Sequence, residues 1–453
     1  MKYLYMDNFR GFSDTLISFK DVNFFVGENS TGKSSVISLL KLLTTTEFWL
    51  ESPAKFDNAD IQLGKGRYDD LVSVHAASKD SFSVGSYGKA LPVNRSASNK
   101  GKGKDKEENE EQIDAFLLTF VSRDGLPSLS SYIYSYKGEE VIVRVSENQL
   151  KYKSRKNVQL LTCNNIQECF KRWGDIAKND NRGYKIVPKD VSRTLIELPI
   201  LFYPSIIEGI RGNENMNPFA LSPAIFKESL IWLAPIRSKP KLTYDEYKLD
   251  YSPEGEHTPY VIKKLLGKKS EAVAFKKFLD TLGKDSGLFE TIEILHYGNS
   301  STSPFELDVV LNKRKLSINN VGYGVSQALP IIVELFVRAN DSAYAVQQPE
   351  VHLHPKAQAA LGDAFFQLAT VENKKFLIET HSDYTLDRFR SNYRNESNSE
   401  SPSSQVLFFE RDENGNRVTP VEIDQQGDLS ERQPDAYREF FIREEMLNLG
   451  LSS

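Results

Sequence analysis

GENSTGKSS, residues 27–35, follows the apolar run VNFFV at 22–26 and opens an amphipathic stretch. Gly27, Gly32, Lys33 and Ser34 fit the spacing G-x-x-x-x-G-K-[ST]. That spacing has a physical cause. Consecutive backbone N–H groups curl around a phosphate, glycines let the backbone come close, and the helix that follows presents its positive end to the anion. Asn29, Ser30, Thr31 and Ser35 complete the cradle, Lys33 is spaced to reach the β- and γ-phosphates, and Ser34 to ligate Mg2+. Strand, glycine loop and helix in this order predict an α/β fold.

Composition narrows the class. The chain has 453 residues, 40% of them hydrophobic, enough for a sizeable core or for several domains. Against 62 acidic residues stand 57 basic ones, a net charge of −5, so no global attraction to nucleic acid or an anionic membrane is visible. A local basic face remains open. Cys163 and Cys169 are expected as ordinary side chains in a reducing cytoplasm, since a disulfide scaffold uses many more cysteines. No signal-peptide core and no apolar run near the ~20 residues of a membrane helix is present, so a soluble, cytoplasmic protein is expected.

The organisation is uneven. RSASNKGKGKDKEENEEQ, residues 95–112, has Ala97 as its one apolar residue and reads as a mobile charged insertion. Strand-like and helical runs mix from 113 to about 225. From about 305 the pattern is regular: strand FELDVVLN, helix SQALPIIVELFVRA, strand AYAVQ, helix KAQAALGDAFFQLAT, strand KFLIET. The alternation predicts a mostly parallel sheet covered by helices. We expect an N-terminal lobe at 1–94, the insertion at 95–112, an inserted α+β subdomain at 113–300 and a C-terminal lobe at 301–453, the two lobes forming one nucleotide-binding head.

Two further segments carry chemistry. Gly322, Gly324, Ser326 and Gln327 precede a long apolar helix, either as an anion-facing cap or as ordinary capping. FLIETHSD ends an apolar strand in Glu379, Thr380 and His381, at the strand edge where open α/β sheets bind ligands. A lone histidine there is as readily structural. Arg237, Lys239 and Lys241 lie close together beside a polar turn, read either as a solvated turn or as a contact for phosphates or an acidic partner.

The order NFRGF, GENSTGKSS, GYGVSQ, QQPEVHLHP, ETHSD resembles the ABC-type ATPase heads of the RecF, SMC and OLD group, and among these the OLD-like ATPases of bacterial anti-phage systems of the PARIS and Septu type. The likeness covers roughly the first 75 residues and the last 150. It implies ATP and Mg2+ as ligands and two heads closing head to tail over two nucleotides. By resemblance, Gly322 to Gln327 is the signature segment that meets the γ-phosphate of the opposite subunit. His381 is similar to the histidine that senses that phosphate, Leu353 and His354 to the loop crossing the dimer seam, Arg10 to a basic residue near the phosphates, and Gln62 to a magnesium-sensing glutamine.

One departure stands out in YAVQQPEVHLHP, residues 344–355. Relatives usually carry an acid where this chain has Gln347, and glutamine or glutamate where it has Gln348. A carboxylate at the strand end holds hydrated magnesium, and a neighbouring one positions or deprotonates the attacking water. Glutamine keeps the shape but has neither charge nor basicity. Three explanations stay open: an acid exchanged for an amide to trap bound ATP, slow natural hydrolysis with Glu350 or Glu379 as the base, or a nucleotide-gated sensor that barely turns over. His352 and His354 would face one side of a strand, and without a third ligand we read them as packing and seam contacts rather than a zinc site.

OLD-type nucleases continue into a TOPRIM domain, whereas about 70 residues follow His381 here. The resemblance therefore implies a separate nuclease or toxin effector, with a phage-derived trigger. The leading expectation is an ATP-dependent sensor and scaffold, a homodimer or higher homo-oligomer without membrane contact. The alternatives are a RecF- or SMC-like repair ATPase clamping DNA, and a nucleotide-bound scaffold that does not hydrolyse.

Overall fold

The run before the phosphate loop becomes a strand buried along its whole length, Val22–Gly27, as expected of a parallel strand with neighbours on both edges and covered on both faces. The computed structural model describes residues 2–51, 55–56, 63–64, 66–76, 78–88, 113–136, 138–147, 149–156, 166–180, 182–189, 198–212, 230–298, 300, 302–395, 401–431 and 433–435. The charged segment 95–112, Gln62 and Cys163 lie outside the described residues.

In chain order the elements begin with β1 (Tyr3–Asp7), β2 (Thr15–Ser18), β3 (Val22–Gly27), α1 (Lys33–Thr44), α2 (Thr46–Leu50), α3 (Tyr68–Leu71) and β4 (Phe82–Tyr87). Next come β5 (Ala115–Arg123), β6 (Leu126–Tyr136), β7 (Glu139–Ser146), β8 (Gln149–Arg155), α4 (Ile166–Asn179), β9 (Lys185–Ile186) and α5 (Tyr203–Ile210). Then follow β10 (Leu230–Leu233), α6 (Thr258–Gly267), α7 (Lys269–Ser286), β11 (Thr291–His296), β12 (Phe305–Leu311), β13 (Arg314–Ser317) and α8 (Tyr323–Val337). The last described elements are β14 (Ala343–Gln347), α9 (Pro355–Glu372), β15 (Lys375–Glu379), α10 (Asp383–Asn395), β16 (Ser404–Asp412) and β17 (Gly415–Ile423).

Two compact units share the chain. One comprises Met1–Phe19, Ser34–Ser229 and Arg411–Val418, the other Lys20–Lys33, Leu230–Glu410 and Thr419–Ser453. Relative to the ranges expected from sequence, the first strands join the inserted region, and 230–300 goes with the C-terminal lobe.

In the first unit an eight-stranded sheet runs β2-β1-β4-β5-β6-β7-β8-β9 with antiparallel neighbours. Helix α4 lays Cys169, Phe170, Trp173 and Ile176 against Tyr5, Leu117, Ile133 and Ile142. Cys169 is buried within that core. The buried carboxylate of Glu140 fastens the helix, accepting from Trp173 Nε1 at 2.7 Å and Arg172 Nη2 at 3.0 Å.

The second unit holds a six-stranded sheet in the order β10-β14-β15-β3-β16-β17. The pairs β10/β14, β14/β15, β15/β3 and β3/β16 are all parallel. The parallel sheet read from the sequence is present, with one correction. FELDVVLN does not join it: as β12 it pairs antiparallel with β11 and β13 in a separate three-stranded sheet, and β10 takes the edge beside β14. The reason lies in the burial. β12 alternates buried and half-buried residues, which suits a sheet with one wetted face, whereas all four residues of β10 are buried. Phe24, Ile331, Ile332, Phe365, Phe376 and Phe389 belong to the unit's apolar core. Among the described residues no helix is long and apolar enough to cross a membrane.

Candidate nucleotide site

The geometry of the loop after β3 is set by its backbone. Gly27 has φ +139°, and a Cβ there would lie 2.0 Å from Phe409 O on β16. Ser30 and Gly32 also take positive φ, +63° and +98°. These turns fold residues 27–33 into a cradle ahead of α1. Thr31 Oγ1 donates to Glu28 O at 2.8 Å, closing it. Lys33 is 4% exposed, and its Nζ donates to Gly27 O at 2.8 Å and Glu28 O at 2.6 Å. Burial pulls the Lys33 ammonium below its ordinary value, opposed by the charges of Glu379 and Glu28.

Beside β3 lies β15 and beyond it β14, with Glu379 opposite Phe25 and Gln347 opposite Glu379. Their carboxyl ends therefore sit at the level of the loop. Gln347 is 3% exposed and Glu379 5%. Trp232 Nε1 donates to Gln347 Oε1 at 2.7 Å, and Gln347 Nε2 donates to Glu379 Oε2 at 2.5 Å. An indole can only donate and a carboxylate only accept, so this amide has one orientation, and both its ends are matched. Gln348 takes the left-handed φ of +43°, and its backbone N–H donates to Glu379 O at 2.7 Å.

Glu350 has a different task. Its Oε1 accepts from the backbone N–H of His381 at 2.7 Å and its Oε2 from Thr380 Oγ1 at 2.8 Å, so the carboxylate pins the turn leaving β15. His381 is exposed on that turn.

The Gly322 to Gln327 segment does not precede the helix as expected but forms the N-cap and first turns of α8. Gly322 is exposed at the helix start, but Ser326 and Gln327 are buried and Ser326 Oγ donates to Tyr323 O at 2.8 Å. A Cβ on Gly324 would come within 2.8 Å of His352 O, which brings the segment against the loop after β14. His352 and His354 are not on a strand as expected. His352 sits in a turn at φ +62°, with its ring 5.9 Å from that of Tyr323, and His354 caps α9, its Nδ1 accepting from Lys356 N at 3.3 Å. Pro349 and Pro355 flank the stretch; neither can donate to a strand ladder.

The second unit thus brings together the loop residues Gly27 to Lys33, Gln347, Gln348, Glu350, Glu379, His381 and the Gly322 to Gln327 segment. Arg10, Ser34 and Ser35 belong to the first unit. There Arg10 has φ +45° and its guanidinium is lowered by burial, against the pull of Asp70. Sequence reading missed Trp232, since a tryptophan ending an apolar run signals only core. It also grouped Arg237 with Lys239 and Lys241, whereas Arg237 is buried and the two lysines are exposed.

The chain matches the AAA ATPase domain family over residues 1–160 and 225–386, more than half its length, and belongs to that family. It is a P-loop ATPase of mixed α/β fold. No curated protein matches it. Among solved structures it is similar, at 10% identity and a TM-score of 0.42, to the SmcHead bound to the C-winged helix domain of ScpA, covering 94% of this chain and 98% of that one. The SMC head domain from Thermotoga maritima aligns at 10% identity and 0.36, over 93% and 99% of the two chains. For the Smc head domain with an extended coiled coil bound to the C-terminal domain of ScpA, derived from Pyrococcus furiosus, the figures are 10%, 0.37, 98% and 99%. None of these superposes closely, and the family assignment stands on the family match.

Proposed function

We propose that the loop of residues 27–33 binds the phosphates of ATP, with Lys33 and Ser34 toward the β- and γ-phosphates and Mg2+, and that Glu379 supplies the negative charge that Gln347 lacks. The observation that carries this is the contact of Gln347 Nε2 with Glu379 Oε2 at 2.5 Å. The acid is displaced by one strand, and the amide on β14 is fitted between a donor and an acceptor. A hard cation such as Mg2+ takes oxygen ligands and keeps several waters, which the Glu379 carboxylate and phosphate oxygens suit. When bound, it would neutralise charge developing on the transferred phosphoryl group. Glu350, whose oxygens hold the turn at Thr380 and His381, is the positioning group rather than the base.

On the larger scale the chain is read as the ATP-driven head of a sensor and scaffold subunit in an anti-phage system, governing a separate nuclease or toxin effector. Two copies would close over ATP, the Gly322 to Gln327 segment of one facing the nucleotide of the other. The motif order supports this. Closure requires only that ATP bind the closed form better than the open one.

Single-turnover hydrolysis tests the assignment. The parent chain should cleave bound ATP and Glu379→Gln should not, while both bind it in calorimetry. If neither cleaves, the second reading, a nucleotide-bound scaffold without turnover, is favoured by the same doubly satisfied amide. If neither binds, the nucleotide reading fails.

A further inference from the structure

Arg237 is a buried charge outside the phosphate loop. It lies in the loop after β10 and is 3% exposed. Nη2 donates to Gln347 O at 2.9 Å. Its own backbone is clasped by a side-chain amide: Arg237 N–H donates to Gln327 Oε1 at 3.3 Å, and Gln327 Nε2 donates to Arg237 O at 3.4 Å. Nε and Nη1 are buried and have no hydrogen-bond partner among the described residues. Burial pushes the guanidinium down to about 10, against the attraction of Glu350, so it keeps its charge at neutral pH.

This arrangement is poor for stability. Each unmet buried donor costs its desolvation, and an apolar side chain of similar volume would often hold such a loop as well or better. What the guanidinium supplies is a connection. Gln327 in the first turns of α8 holds the backbone of Arg237, Arg237 holds the carbonyl of Gln347, and the Gln347 amide holds Glu379. Four side chains therefore link the helix start to the carboxylate beside the phosphate loop. A lysine could not replace the fork, since its single ammonium on a flexible stem fixes no plane. The two spare donors leave the group able to take another acceptor, and Glu350 is the charged one whose field reaches it.

We infer that Arg237 is a positioning residue that transmits the state of the Gly322 to Gln327 segment to Gln347, and through it to Glu379. Whatever docks on the exposed start of α8 would thereby set the geometry of that carboxylate. Only the consequence for turnover rests on the ATP reading above; the link itself is a matter of protein contacts.

Trp232 provides the readout, because its indole N–H bonds the same glutamine. The chain has three tryptophans, and Trp232→Phe assigns its indole N–H resonance in the full-length protein. Gln327→Ala and Arg237→Lys should each move the Trp232 resonance while those of Trp49 and Trp173 stay in place. Both should lower turnover by about tenfold or more, the scale of one hydrogen bond to a charged group, with the ATP affinity of Arg237→Lys changed less than about threefold. Gln327→Asn, which shortens the arm without removing it, serves should the alanine variant unfold. A Trp232 resonance that stays fixed in folded variants of both residues overturns the inference, as does a parallel loss of affinity and turnover in Arg237→Lys. If the resonance responds while the parent chain binds no ATP, the link stands and the nucleotide reading falls.

Discussion

At the end of β3 the backbone makes the site, and at the ends of β14 and β15 the side chains do. Gly27 cannot carry a Cβ because Phe409 O would stand 2.0 Å from it, and its φ of +139° is open only to glycine at low cost. No permutation of residues along that loop would keep its shape. The neighbouring strand ends are freer. Gln347 and Glu379 stand opposite each other in register, so one charge can reside on either strand and still face the same space. A cradle of N–H groups constrains sequence position by position, whereas a carboxylate constrains only where a charge must be.

Four substitutions probe that difference. Glu379→Gln should show the largest effect, a fall in turnover of about 10²–10⁴, the range for losing a positioned acid–base group, with ATP still bound in calorimetry. Survival of turnover would mean the charge did not move to β15 and would turn attention to Glu350. Gly27→Ala should lower stability by about 3 kcal/mol or more, since strain at a forbidden φ is compounded by the backbone clash. Denaturant midpoints at unchanged slope check it, and a tolerated alanine would undo the claim that the backbone rules this loop. Lys33→Ala should weaken ATP binding by about 10–100-fold, the worth of charge-assisted hydrogen bonds to phosphate, measured by calorimetry. The smallest effect is expected of Trp232→Phe. It leaves Gln347 Oε1 buried without its donor, a loss of about 1–2 kcal/mol in denaturant unfolding, and an unchanged midpoint would show that the amide is held by Glu379 alone.

The same contrast explains what could be read in advance. The strand, loop and helix at 22–44 were legible because their determinants are local: apolar burial, glycines at the positive-φ positions, and a helix directly after. The parallel strands β14 and β15 were legible from their apolar runs. The place of β12 was not, because an apolar run does not show which strand pairs with it: in the fold the fully buried β10 takes the edge of β14, and the half-buried β12 pairs with β11. The histidines of HLH were misplaced because two prolines and a positive φ at His352 override the alternation.

By itself, then, the sequence determined the phosphate loop and the class of enzyme, since contiguous backbone groups are enough to bind a phosphate. Only the tertiary structure decided what Gln347 meets. A side chain's worth depends on what the fold sets against it, and Trp232 and Arg237 from one stretch of chain and Glu379 from another surround Gln347 only once β10, β14 and β15 lie side by side.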